Sequence, residues 1–181
     1  GLRRVVEDAA LSAESSVPDE ANVIAEREAP ETFRSGPWDG DMETFYDRLT
    51  ELLRGIERDY PRVNVLQIIA DHTKTHTLYG NSNGTRFEHF DGAYHMDLEM
   101  SASDGEKNTG LDYLSLSTHD LDTPLLRQGN VARHLADTQK SLDGAEFAGK
   151  FTGTVIFTPD CLGNFIYMLL SNYVMSAVIM T

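Results

Sequence analysis

The chain has 181 residues, 40% hydrophobic and 24% charged, with 15 Lys and Arg against 29 Asp and Glu for a formal charge of −14. Those proportions allow one buried core and a small second lobe in a soluble globular piece, while the negative field opposes direct binding to nucleic acid or anionic lipid. A single cysteine excludes an internal disulfide, and no basic-then-apolar leader opens the chain, so a cytoplasmic location is expected.

Gly1 in first place reads as a processed end or an expression scar. From Leu2 to Ser15, apolar Leu2, Val5, Val6, Ala9, Ala10 and Ala13 recur at helical spacing and predict an amphipathic helix. The pattern dissolves at Ser15-Ser16-Val17-Pro18-Asp19, and from there to Asp41 the acidic, proline-bearing stretch shows neither period, so an ordered loop or linker is expected. Asp41 caps a second predicted helix running to about Asp59, with Phe45, Leu49, Leu52, Leu53 and Ile56 as its stripe and Tyr60-Pro61 as its stop.

Such a helix needs a sheet to cover, and the next segments supply it. Val63–Ala70 and Thr75–Tyr79 read as two strands rich in β-branched residues. Gly80-Asn81-Ser82-Asn83-Gly84 reads as a hairpin turn. In the strand after it, Phe90, Tyr94, Met96, Leu98 and Met100 alternate with His89, Asp91, Ala93, His95, Asp97 and Glu99, which predicts one apolar and one wet face. Ser103-Asp104-Gly105-Glu106 turns the chain and Leu111–Leu116 returns it, completing an antiparallel meander of about four strands. Leu125–Leu142 predicts a third helix and Asp143–Lys150 a short connection.

Phe151–Asp160 reads as a strand, a turn and a helix N-cap at Asp160. Cys161–Thr181 then carries no charge, and the chain ends inside that run, as a piece cut from a longer protein would. Its length admits a membrane span, but Asn164, Ser171, Asn172 and Ser176 interrupt it and flanking basic residues are sparse, so a buried core helix is the expectation. The organisation expected is therefore residues 1–60 as a helical segment with an acidic loop, 61–150 as antiparallel sheet plus helix, and 151–181 as a strand and apolar helix leading into a further C-terminal domain. The class is α+β, an antiparallel meander packed against helices.

Motifs that carry chemistry are few. The sequence has no Gly-x-x-x-x-Gly-Lys phosphate loop, Gly-x-Gly-x-x-Gly turn, Gly-x-Ser-x-Gly elbow or His-Glu-x-x-His pair. His89, Asp91, His95, Asp97 and Glu99 share a strand face, and imidazole with carboxylate suits zinc or iron. Residues six apart in a strand nevertheless lie about 20 Å apart, so a solvated face is expected there. His72 and His76 would pair on zinc only in a helix, and the threonines around them argue for strand or turn. Cys161 falls in the first turn of the last helix, where the helix dipole favours a thiolate, although buried free cysteine is the commoner outcome. Composition at Asn81–Gly84 is accounted for by turn chemistry. No catalytic, cofactor-binding or metal-ligating residue is assigned.

The succession of helix, acidic loop, helix, strands, Leu78-Tyr79-Gly80-Asn81-Ser82-Asn83-Gly84, a long alternating strand, Ser101-Ala102-Ser103-Asp104-Gly105, Gly110-Leu111-Asp112-Tyr113 and Gly153-Thr154-Val155-Ile156-Phe157-Thr158-Pro159 resembles the TldD/PmbA family, also called modulators of DNA gyrase and classed as metallopeptidases. The likeness is best from Val63 to Leu170. It implies a middle section of a longer two-domain protein, with a strand-and-helix segment before the equivalent of Leu2 and a β-rich domain after that of Thr181. In TldD-like subunits the last helix carries His-Glu-x-x-x-His, which holds zinc and activates water. The matching positions here are Tyr167-Met168-Leu169-Leu170-Ser171-Asn172, which keep none of the three chemical residues.

The resemblance therefore implies the PmbA-type partner: a cytoplasmic protein of a proteolysis or peptide-maturation system, without zinc or other cofactor of its own and not catalytic alone. It would dimerise with a zinc-bearing homologous subunit or with itself, assist assembly and bind an unfolded peptide, with sheet edges as the place where a strand adds. Neither nucleic acid nor membrane is an expected partner. A non-enzymatic peptide- or protein-binding module is the alternative, followed by a membrane-tethered protein using 161–181 and a hydrolase using Cys161.

Overall fold

A computed structural model describes residues 1–18, 23–144, 149–150 and 152–174. Contacts divide the chain into two compact units, residues 1–144 and 145–181.

In the first unit, helix α1 (Leu2–Ser15) forms as its spacing predicts, but every residue in it is exposed. Ion pairs such as Arg3 Nε to Glu7 Oε1 at 3.0 Å tie only its own turns together. Helix α2 (Met42–Asp59) begins where Asp41 accepts a hydrogen bond from Thr44 N and ends at Tyr60 before Pro61. It buries Phe45, Leu52, Gly55 and Ile56, with Leu49 half-buried, whereas Leu53 from the expected stripe faces solvent.

Among the described residues the sheet has four strands: β1 (Glu31–Ser35), β2 (Val63–Gly80), β3 (Arg86–Ala102) and β4 (Asp112–Thr118). β2, β3 and β4 are the antiparallel meander that the alternation predicts. Val63–Ala70 and Thr75–Tyr79 are one strand and not two, because Asp71–Lys74 stay extended and pair with Gly92–His95. The fourth strand lies instead inside the expected acidic loop: β1 runs parallel to β3, Glu31 opposite Phe87 through Ser35 opposite Asp91, and makes the sheet mixed. β1 and β4 share one side of β3, β1 at 87–91 and β4 at 94–100, while β2 takes the other side.

The expected third helix is broken in two. A 3-10 turn at Leu125–Arg127 ends before Gly129, whose φ of +52° a helix cannot accommodate, and α3 spans Val131–Lys140. Leu125, Val131 and Leu135 join Phe45, Leu52, Ile56, Val63, Tyr94, Met96, Leu98, Met100 and Leu114 in one core between the helices and one face of the sheet. Its β3 members, Tyr94, Met96, Leu98 and Met100, are alternate residues of that strand, as a sheet with one buried face requires.

α3 is also fastened to β4 by polar contacts. His134 Nε2 lies 3.0 Å from Asp112 Oδ1, and Thr138 Oγ1 donates to Asp112 Oδ2 at 2.5 Å. Burial pushes the Asp112 carboxyl up, but the Thr138 and His134 contacts and the Tyr113 amide outweigh it and hold the group below its usual value. A depressed folded value means that the stabilisation is present in full above the unfolded carboxyl value of about 3.9 and is lost as pH falls through the folded one. Asp112→Ala is expected to lower stability at pH 7 by about 1–2 kcal/mol. Urea titrations of both proteins at pH 7 and at pH 3 check this, the difference shrinking at the lower pH.

In the second unit, residues 152–158 form no strand, and α4 (Pro159–Tyr173) has its N-cap at Thr158 rather than at Asp160, with the proline in the first turn. Its described side chains are exposed or half-exposed, in contrast to the expected core helix. Among the described residues no helix is long and apolar enough to cross a membrane.

Candidate functional site

The face of the sheet away from α2 and α3 carries the predicted wet row. His89, Asp91, His95, Asp97 and Glu99 stand on it in line, alongside Asp71, Thr73 and Thr75 of β2. Their partners are local. His89 Nε2 lies 2.8 Å from Ser35 Oγ, which donates to Asp91, and His119 Nε2 is 3.5 Å from Asp91 Oδ1. His95 Nδ1 lies 2.8 Å from Ser117 Oγ, and Ser115 Oγ donates to Asp97 Oδ1 at 2.5 Å. Among the described residues no three His, Cys, Asp or Glu side chains converge as metal ligands would.

His72 and His76 lie on the opposite face of β2, where extended backbone separates residues four apart by about 13 Å. Each has its own use. His72 Nε2 lies 2.9 Å from Pro37 O with its ring 4.8 Å from Tyr94, and His76 stacks on Phe90 at 4.3 Å with Nε2 2.8 Å from Glu88 Oε1. Cys161 is exposed, its Sγ 3.4 Å from Thr158 O. Tyr167–Asn172, the six positions compared with a zinc motif, lie within α4.

Two features of the sheet stand apart from the core. The first is the outer edge of β2, which no strand pairs among the described residues. Alternate residues of such an edge point N–H and C=O groups away from the sheet. A register shift between Val65 and Gln67 interrupts it near one end. Lys74, held by Asp39 at 2.8 Å and 5.5 Å above the Trp38 ring, marks it further on.

The second is the β2–β3 hairpin tip, where side chains grip the backbone of an extended segment 56 to 59 residues earlier. Asn81 Nδ2 donates to Ala25 O at 3.1 Å, and Asn83 Nδ2 donates to Ala25 O at 2.9 Å and Ile24 O at 3.4 Å. Thr85, a residue 2% exposed, donates its hydroxyl to Glu26 O at 3.2 Å and accepts there from Glu28 N at 3.0 Å. Turn composition alone does not announce that role. The available signal was the density of amide and hydroxyl groups at Asn81, Asn83 and Thr85, more than a hairpin turn requires.

No protein-family model matches the chain, and no curated protein matches it significantly. Among solved structures the similarity is to TldE from Thermococcus kodakarensis. The two share 18% identity with a TM-score of 0.47 over 76% of this chain and 31% of that one, so the chain spans less than a third of that protein's length.

Proposed function

We propose that this chain is the zinc-free, PmbA-type member of a TldD/PmbA peptidase system and holds an extended peptide for a zinc-bearing homologue. The observation that carries the reading is the outer edge of β2, unpaired among the described residues, an 18-residue strand in a sheet whose other long strand is paired on both sides. Backbone groups on such an edge bind any extended chain, and side-chain alternation sets the preference. The register shift at Val65/Gln67 and the charge of Lys74 define the stretch between them, Gln67 to Thr73, as the seat for an added strand.

The order of motifs from Val63 to Leu170 supports the family, and Tyr167, Met168 and Asn172 in place of two imidazoles and a carboxylate support a subunit without peptidase chemistry of its own. In this reading the protein is cytoplasmic, its partner is a zinc-bearing subunit, and its ligand is an unfolded peptide.

The test mixes the chain with a zinc-motif homologue and follows bound zinc and peptide hydrolysis, while backbone NMR maps peptide contact on the isolated chain. Hydrolysis that rises on mixing, with amide shifts concentrated at residues 67–73, is expected. Stoichiometric zinc on this chain alone, or a titration that moves no β2 amide, overturns the proposal.

A further inference from the structure

The segment at the hairpin tip continues directly into β1, so residues 24–35 form one strap along the sheet: backbone clipped at 24–28, then paired with β3 at 31–35. Its attachment is that of a ligand more than of a structural strand. Of the whole strap only Ser35 is even half-buried, and none of it joins the core.

Against β3 the strap sets its backbone and three consecutive side chains, while Arg27 passes the tip within 4 Å of the Cβ position of Gly84. Phe33 sets its ring edge-on to Phe87 at 5.8 Å and His89 at 6.5 Å. Arg34 Cζ lies 4.5 Å over the Phe90 ring, a cation–π contact. Ser35 completes the row by bonding Asp91 and His89. Beside the strap, a groove of about 670 Å³ is lined by Pro30, Thr32, Leu78, Tyr79 and Phe87.

We propose that residues 24–35 are a ligand bound in cis, and that the site they fill, the Asn81–Thr85 tip with the 86–91 edge of β3, accepts in trans an extended peptide bearing an aromatic, a cationic and a hydroxyl residue in succession. The clip reads carbonyls and one N–H and so is indifferent to sequence, whereas Phe87, Phe90 and the His89–Asp91 pair read the three side chains. Tethering raises the local concentration of the strap into the millimolar range, so an external peptide competes poorly until the strap is weakened. This site lies on the side of β3 opposite β2 and does not rest on the edge reading given above.

The test uses the full chain, isotope-labelled, and the synthetic peptide of residues 23–36. In the Phe33→Ala/Arg34→Ala chain the peptide is expected to shift amides 86–91 at a concentration at least tenfold lower than in the unaltered chain, and a peptide carrying the same two substitutions is expected to do so in neither. Equal concentrations for both chains, no shift in either, or shifts confined to residues 63–80 overturn the proposal, the last while supporting the β2 edge as the peptide seat. Should the double variant fail to fold, hydrogen exchange of the unaltered chain decides. Amides 31–35 are expected to exchange at least tenfold faster than amides 94–100, and equal rates overturn the proposal.

Discussion

Replacing Gly92 by alanine is expected to destabilise the sheet unit by at least about 3 kcal/mol, read as a fall in the urea midpoint followed by circular dichroism. The chain crosses the sheet at this point on its way from β1 to α2, and it does so in direct contact with the backbone of β3. A Cβ added at Gly92 would stand 2.0 Å from Pro37 O, 2.6 Å from Pro37 C and 3.0 Å from the Trp38 Cα. All three are backbone atoms, so no side-chain rotation relieves the overlap. The approach is guarded from the other side as well: Gly36, at φ +61°, would place a Cβ 2.0 Å from Gly92 O and 2.6 Å from the His119 ring. The same crossing is fastened by the Trp38 ring, 5.2 Å from Phe90, and by His72 on Pro37 O. A midpoint unchanged in the Gly92→Ala protein would show that residues 36–38 lift away without cost and that this crossing does not hold the fold together.

Phe45→Ala is expected to cost about 3–5 kcal/mol, the range for emptying an aromatic site in a core that relaxes only in part. Phe45 is 1% exposed, in the first turns of α2, and its ring centroid lies 4.9 Å from that of Tyr94. Tyr94 in turn accepts a 2.7 Å hydrogen bond from Asp41 N, so the residue that caps α2 and the ring that anchors it converge on one β3 side chain. Loss of Phe45 therefore opens a cavity and loosens the helix start together. Tyr46, the next residue, is 72% exposed, and Tyr46→Ala should stay within about 0.5 kcal/mol of the unaltered protein. Equal losses from the two substitutions would contradict the side of α2 that faces the sheet.

Residues whose role is set by neighbours in sequence were legible. Asp41 three residues before Thr44, and apolar positions at helical spacing, define α2 without reference to the rest of the chain. Alternation along β3 foretold that Tyr94, Met96, Leu98 and Met100 enter the core and that His89, Asp91, His95, Asp97 and Glu99 form the wet row, although Ala93 of that row is buried and Phe90 stays half-buried outside the core. β1 was not legible, because its exposed side chains follow no apolar period and its strand state comes from β3 residues 56 positions later (87 − 31). Asp71-His72-Thr73-Lys74 divided β2 on paper for a similar reason, since weak local preference yields to a ladder that runs unbroken through their partners. Gly129 marks where a helical period in the sequence outran the backbone. Of the hairpin-tip clip, the donors could be read and the recipient could not, because a backbone carbonyl carries no sequence signature.

The strap also has a history during synthesis. Residues 24–35 leave the ribosome before Asn81–Asp91 exist, and at about 5–20 residues per second the wait is roughly 3–11 s. The β2–β3 hairpin closes within microseconds once made, so β1 waits for a partner strand translated after it, and throughout that interval Phe33 and Arg34 are open to whatever chaperone or partner reaches them first.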